Sequence, residues 1–171
     1  MKFIGALIVI IAFGLIGLTI GRNFKRRPEE LRALQGSLQL LETEIVYGAT
    51  PLPEAFNRIA KLFNTEIGRI FDLCKENLRT KNGMTIQVAW EAALDAQYQH
   101  TSLAKGDIEV LRSLGTALGM SDRNDQQKHI RLAIGKLQTE EKRAIDDAQK
   151  YAKTWNYLGF LCGLTLVILI F

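Results

Sequence analysis

The sequence predicts an all-α protein, a single cytoplasmic bundle of about six helices flanked by N- and C-terminal transmembrane helices. Three observations carry this. Phe3–Ile20 and Tyr157–Phe171 are uninterrupted apolar runs at the two ends of the chain. Between them apolar residues recur at the helical spacing of three and four, and no strand-like alternation persists. The charge is segregated: of the 22 Lys and Arg only Lys2 lies outside residues 22–154, and all 18 Asp and Glu lie inside them. The expected organisation is therefore a transmembrane anchor over 1–21, a cytoplasmic helical domain over 22–154 and a C-terminal transmembrane segment over 155–171.

A hydrocarbon core of about 30 Å needs roughly 20 helical residues. Met1–Gly21 meets that length. The second run is shorter, and it reaches the required length from Ala152 if Lys153 extends to the headgroups while Trp155 and Tyr157 sit in the interfacial belt. The alternative for this run is a hydrophobic tail docked on another protein. The first run is read as an uncleaved anchor. It lacks a small-residue cleavage site, and its cations Arg22, Lys25, Arg26 and Arg27 follow the apolar stretch rather than precede it. Those four, with Lys142, Arg143, Lys150 and Lys153 before the second run, place the middle in the cytoplasm and both termini across the membrane. They serve either as contacts to anionic headgroups or simply as topogenic charge. The pI of about 9.1 is therefore no sign of nucleic-acid binding, because the basic excess sits beside the membrane.

The first soluble helix should begin at Pro28, which suits a first turn, with Glu29 and Glu30 at the positive end of its dipole. Leu31, Leu34, Leu38, Leu41 and Ile45 form its buried seam. Tyr47-Gly48 should end it, with Gly48 in a left-handed cap and Pro51 blocking continuation. Pro53 should open a second helix whose apolar face is Leu52, Ala55, Phe56, Ile59, Ala60 and Phe63. Asn64 or Thr65 should cap a third, burying Ile67, Ile70, Phe71, Cys74 and Leu78 and ending at Asn82-Gly83. Thr85 should cap the fourth, IQVAWEAALDAQ, where alanines allow close helix approach and Trp90 is a core residue. The fifth should run from Lys105 to Leu118, burying Ile108, Leu111, Leu114 and Leu118, and end at Gly119. Ser121 or Asp122 should cap a long sixth helix that continues into the second apolar run. Its seam is Ile130, Ile134, Leu137, Ala144, Ala148, Tyr151 and Trp155, with Glu141 at the one polar position.

Chemistry-bearing motifs are missing. The sequence has no GxxxxGK[ST], GxGxxG or GxSxG. The 2 histidines, His100 and His129, stand apart, and the 2 cysteines, Cys74 and Cys162, give no disulfide framework. Ser121–Asp125 has the start of a calcium loop but lacks its glycine and distant glutamate, so helix capping accounts for it. Neither apolar run holds an ionisable residue, which argues against an ion pathway. The expectation is a non-enzymatic protein with no catalytic residue, cofactor or metal. The pairs Gly17/Gly21 and Gly159/Gly163 have the spacing of transmembrane helix contacts, which would join the two spans to each other; a homo-oligomer is a separate expectation.

Two strings carry a resemblance: GATPLPEAF at 48–56, and LGTALGMSD at 114–122 followed by Gln126. The first resembles the cytoplasmic helical domain of the inner-membrane platform proteins of type II secretion and type IV pilus systems. The second resembles the same family and, together with length and layout, is more closely similar to the stage III sporulation AB family of endospore-forming bacteria. The resemblance spans essentially the whole chain, though the larger secretion proteins carry a duplicated domain and more spans.

It implies a platform or adaptor subunit of a secretion-like trans-envelope complex in endospore formation. That subunit would sit in the mother-cell membrane facing the forespore and couple a secretion-type ATPase, stage III sporulation protein AA, to other membrane subunits. The expected partner-facing residues are Thr50, Glu54, Arg58, Ser121, Asp122, Arg123 and Gln126. Gly48, Leu52, Ala55, Gly115 and Gly119 are assigned to structure. The competing readings are a membrane-tethered helical sensor that binds a small ligand between its helices and, more remotely, a self-contained channel.

Overall fold

A computed structural model describes the backbone of residues 25–80, 83–120 and 122–170, and the side chains of 25–80, 83–119 and 122–150. The described residues are all helix and turn, with no strand. Helix α1 occupies residues 25–46. It is followed by α2 (Leu52–Leu62), α3 (Glu66–Thr80), α4 (Ile86–Tyr98), α5 (Lys105–Met120) and α6 (Arg123–Ile170). The chain divides into two compact units, Glu29–Glu141 and a second made of Met1–Pro28 with Lys142–Phe171.

Among the described residues no helix is long and apolar enough to cross a membrane. The first apolar run lies outside the described residues, and of the second only the helical backbone is described. The expected contacts of Tyr151, Trp155 and the two glycine pairs fall in the same undescribed stretches.

Within Glu29–Glu141 the seam of α1 is fully inward: Leu31, Leu34, Leu38 and Leu41 are completely buried and Ile45 nearly so. Consecutive helices α2, α3, α4 and α5 pack pairwise in chain order. They meet around Phe56, Phe71 and Trp90, one aromatic from each of the first three. The ring centroids lie 5.3–5.8 Å apart, and the Phe71–Trp90 pair is edge-to-face, the separation and geometry aromatic pairs favour. The buried indole N–H of Trp90 donates to the Leu111 carbonyl at 2.8 Å, which ties α4 to α5. Gly115 makes room for it: a Cβ there would lie 2.4 Å from Trp90 Cδ1.

Two polar ties hold α1 beside α6 in antiparallel order. Glu42 accepts from Gln127 Nε2 at 2.9 Å and Arg131 Nε at 2.6 Å. Glu141 accepts from Arg32 at 2.8 and 3.0 Å and from Gln35 at 2.7 Å. The polar seam position on α6 thus has its partners on α1.

The helix ends follow local chemistry. Pro53 lies in the first turn of α2, where no backbone donor is lost, and the helix begins one residue earlier, at Leu52. Gly68 cannot be another residue in this backbone, because a Cβ would fall 1.6 Å from the Phe63 carbonyl oxygen. Gly83 takes a φ of +86° in the turn between α3 and α4. The Thr85 hydroxyl accepts from the Val88 N–H at 3.4 Å, as its capping position predicts. At the start of α5 the fully buried Asp107 reaches back to the Ala104 N–H at 2.8 Å, a reciprocal cap. Asp122 caps α6, its Oδ1 accepting from the Asp125 N–H at 2.9 Å.

Three expectations need correction. Residues 25–27 are already helical ahead of Pro28. Gly119 is an exposed residue inside α5 rather than its end, since the helix continues to Met120. At the end of α1 the left-handed residue is Ala49, with φ of 47°, not Gly48.

Candidate functional site

Because α1 and α6 run antiparallel and Glu42 joins them near residues 127–131, the turn after α1 and the turn before α6 lie at one end of the Glu29–Glu141 unit. The first string, 48–56, begins in one of these turns, and the second, 114–122, ends in the other.

The α1–α2 turn is built around Glu44. Its carboxylate accepts from the Thr50 hydroxyl at 2.6 Å and from Arg58 Nη1 at 2.9 and 3.0 Å. Its backbone carbonyl accepts from the Thr50 N–H at 3.0 Å. The Thr50 hydroxyl, and after it the Arg58 guanidinium, hold the Glu44 carboxyl below its ordinary pKa of 4.5. Gly48 lies within this knot: a Cβ would come 2.7 Å from Thr50 Oγ1 and 2.9 Å from the Glu44 carbonyl oxygen. Its glycine is required for close approach, not for a left-handed backbone. Ala55 is completely buried, while Leu52 is only half-buried.

Of the residues expected to face a partner, Thr50 and Arg58 are therefore engaged with Glu44. Gln126 is engaged as well, its Nε2 donating to the Leu118 carbonyl at 3.1 Å across the α5–α6 turn. Asp122 caps α6 and is exposed, as are Glu54 and Arg123. Ser121 lies outside the described residues. The sequence reading missed Glu44, the organiser of the turn, and Tyr47, which is 81 % exposed beside it. The signal for Tyr47 was its place two residues after the last seam residue, Ile45, where the helix ends. Of the basic set, Lys25 and Arg26 are exposed and Arg27 is half-buried, while Arg22 lies outside the described residues.

No three His, Cys, Asp or Glu side chains gather at metal-binding distance among the described residues. Cys74 is buried, and that burial pushes its thiol pKa up to about 12, the opposite of an activated nucleophile. At this end the described surface is polar apart from one exposed aromatic side chain, Tyr47.

The described residues define the class by fold alone, an all-α unit whose consecutive helices α2 to α5 pack in chain order. Comparison gives the family. The model of the family described as stage III sporulation protein AB matches residues 2–171. The stage III sporulation protein AB of Bacillus subtilis (strain 168) is 36% identical over 170 residues, 99% of each chain. A solved structure of a stage III sporulation protein AB superposes with a TM-score of 0.68 at 39% identity, covering 74% of this chain and 98% of its own. The chain belongs to the stage III sporulation protein AB family, and its role lies in sporulation.

Proposed function

We propose that the chain is a non-enzymatic platform or adaptor of a secretion-like complex acting in endospore formation. Its apolar ends anchor it in the mother-cell membrane facing the forespore, with both termini on the far side. Its helical domain projects into the cytoplasm, where it engages the secretion-type ATPase, stage III sporulation protein AA, and links that enzyme to the other membrane subunits.

One observation carries this reading. The two strings that resemble the secretion platform family converge on one end of the helical unit, and Glu42 and Glu44 fix the turns that bear them. Tyr47, Glu54, Asp122 and Arg123 are exposed there. An exposed aromatic bordered by charges has the composition of a binding hot spot with a polar rim. The α6 helix, which starts at one of these turns, continues through residue 170 into the second apolar run, so force at that turn has a helical route toward the membrane segment.

The test is titration of the full chain, in detergent, against the purified ATPase. Saturable binding is expected, weakened about tenfold or more by Tyr47→Ala or Arg123→Glu. Neither side chain holds the fold together, so both variants should unfold like the parent. If the folded full chain and ATPase do not associate, the ATPase-coupling reading is wrong.

A further inference from the structure

The joint between α2 and α3 carries a groove of about 390 Å³ that the adaptor reading does not use. That volume lies in the range of small-molecule sites. Its walls bring together three cations, Lys61, Arg69 and Lys75, and one carboxylate, Asp72. Asp72 sits between two of them, 2.6 Å from Arg69 Nη1 and 2.5 Å from Lys75 Nζ. The Lys75 hydrogen bond, more than any other influence, holds its pKa below the ordinary 3.8. At neutral pH the carboxylate is ionised and the lining carries two positive charges in excess. Lys61 is exposed and has no carboxylate within ion-pair distance among the described residues.

The neutral residues add to the same chemistry. Asn57, Asn64 and Thr65 also line the groove, so amide and hydroxyl donors surround the cations. Asn57 Oδ1 already accepts from Lys75 at 3.4 Å, which leaves its NH₂ group to donate. Donors set around a volume suit an anion whose oxygens point in several directions, as in a tetrahedral phosphate, better than a planar carboxylate with two. A phosphate monoester carries about −1.5 to −2 at neutral pH, which matches the excess charge. The groove exceeds what the phosphate alone needs, and Ala60 and Phe63 provide apolar wall for an organic portion.

We propose that the α2–α3 groove is a binding site for a phosphate monoester, with Lys61, Arg69 and Lys75 as its cationic contacts. Asp72 holds Arg69 and Lys75 in place when the site is empty and competes with the ligand for them. The ligand's phosphate comes either from a soluble phosphomonoester or from a lipid headgroup of the phosphatidic acid type.

The experiment titrates the full chain, in a phosphate-free detergent, with glycerol 2-phosphate, and follows binding by calorimetry. A second arm repeats the titration in micelles doped with phosphatidic acid. Saturable binding is expected, weakened about tenfold by Lys61→Ala, which removes one charge-assisted contact. Asp72→Asn removes the competing carboxylate and should tighten binding several-fold, an effect no merely structural role for Asp72 would produce. Displacement of glycerol 2-phosphate by the doped micelles would identify the headgroup as the stronger ligand. Lack of displacement would identify the soluble ester. The proposal is overturned if neither probe binds saturably up to about 10 mM, where affinity falls to a few kcal/mol, or if both variants bind as the parent does. Its failure would leave the ATPase-binding prediction untouched, because that prediction rests on the opposite turns and a protein partner.

Discussion

Replacing Gly115 with alanine should destabilise the helical unit, although the same change normally strengthens a helix. The new Cβ would stand 2.4 Å from Cδ1 and 3.1 Å from Cγ of Trp90. Trp90 cannot step aside freely: it is completely buried, flanked by Phe56 and Phe71, and bonded to the Leu111 carbonyl. Overpacking of this kind costs about 1–3 kcal/mol. If the indole moves enough to lose its hydrogen bond, another ~1 kcal/mol follows. Against this, alanine gains about 1 kcal/mol in a helix interior. The expected net loss is about 1–3 kcal/mol, a fall in Tm of roughly 4 °C or more.

Gly135 is the control. It lies in α6 with nothing within 4 Å of a Cβ, so Gly135→Ala should instead stabilise by about 0.5–1 kcal/mol. The assay is urea unfolding of a fragment spanning 25–150. The match to the solved relative covers 98% of that chain and 74% of this one, and the fragment is first checked for a cooperative unfolding transition. Of the chain's 2 tryptophans it contains only Trp90, whose emission reports both unfolding and any displacement of the indole. If G115A is as stable as the parent, with unchanged emission, the close packing of α4 on α5 described above is wrong.

Three further outcomes follow from particular side chains. Glu141 is held below its ordinary pKa of 4.5, chiefly by the Gln35 hydrogen bond and then by Arg32, and Glu44 and Asp72 are displaced in the same direction. A depressed folded pKa contributes stability above the unfolded value and loses it as pH falls through the folded one. The urea midpoint should therefore decline below about pH 4.5, and Glu141→Gln should flatten that decline; an unchanged slope would remove Glu141 from the account. Cys74, the one cysteine of the 25–150 fragment, should resist an aromatic disulfide reagent at pH 8 until urea unfolds the protein, because its burial holds the thiol protonated; rapid labelling of the native state would contradict that burial. Asp122→Ala should cost about 1 kcal/mol by removing the α6 cap, measured by the same unfolding curves, and a neutral result would mean the cap is unused.

The apolar periodicity made most of the helical unit legible. Burial on one face is the strongest constraint on a helix, and the seam residues Leu31 to Ile45 declared it in their spacing. What stayed hidden is what spacing does not encode. Gln35 is nearly buried, yet its partner Glu141 lies 106 residues away in the chain, and no local pattern announces such a pair. Ser37 is completely buried because its hydroxyl returns to the Ala33 carbonyl at 2.8 Å, a bond that hides a polar residue on an apolar face. Gly68 looked like an ordinary residue of a helix's first turn. Only the path of the chain past Phe63 makes it obligatory.

The same limit explains why the candidate site was half read. Exposed polar residues beside a turn suggest a partner surface, but the sequence does not reveal which of them already satisfy one another. Glu44 takes both Thr50 and Arg58, so changing either disturbs the turn before it touches a partner. Gln126 is likewise spent on the Leu118 carbonyl. A loss of binding after Arg58 reversal would thus report a rearranged α1–α2 turn as readily as a lost contact. Tyr47 and Arg123 do not share that ambiguity. Both stand at the same end of the unit, and neither closes a turn, so they are the positions at which recognition separates from folding.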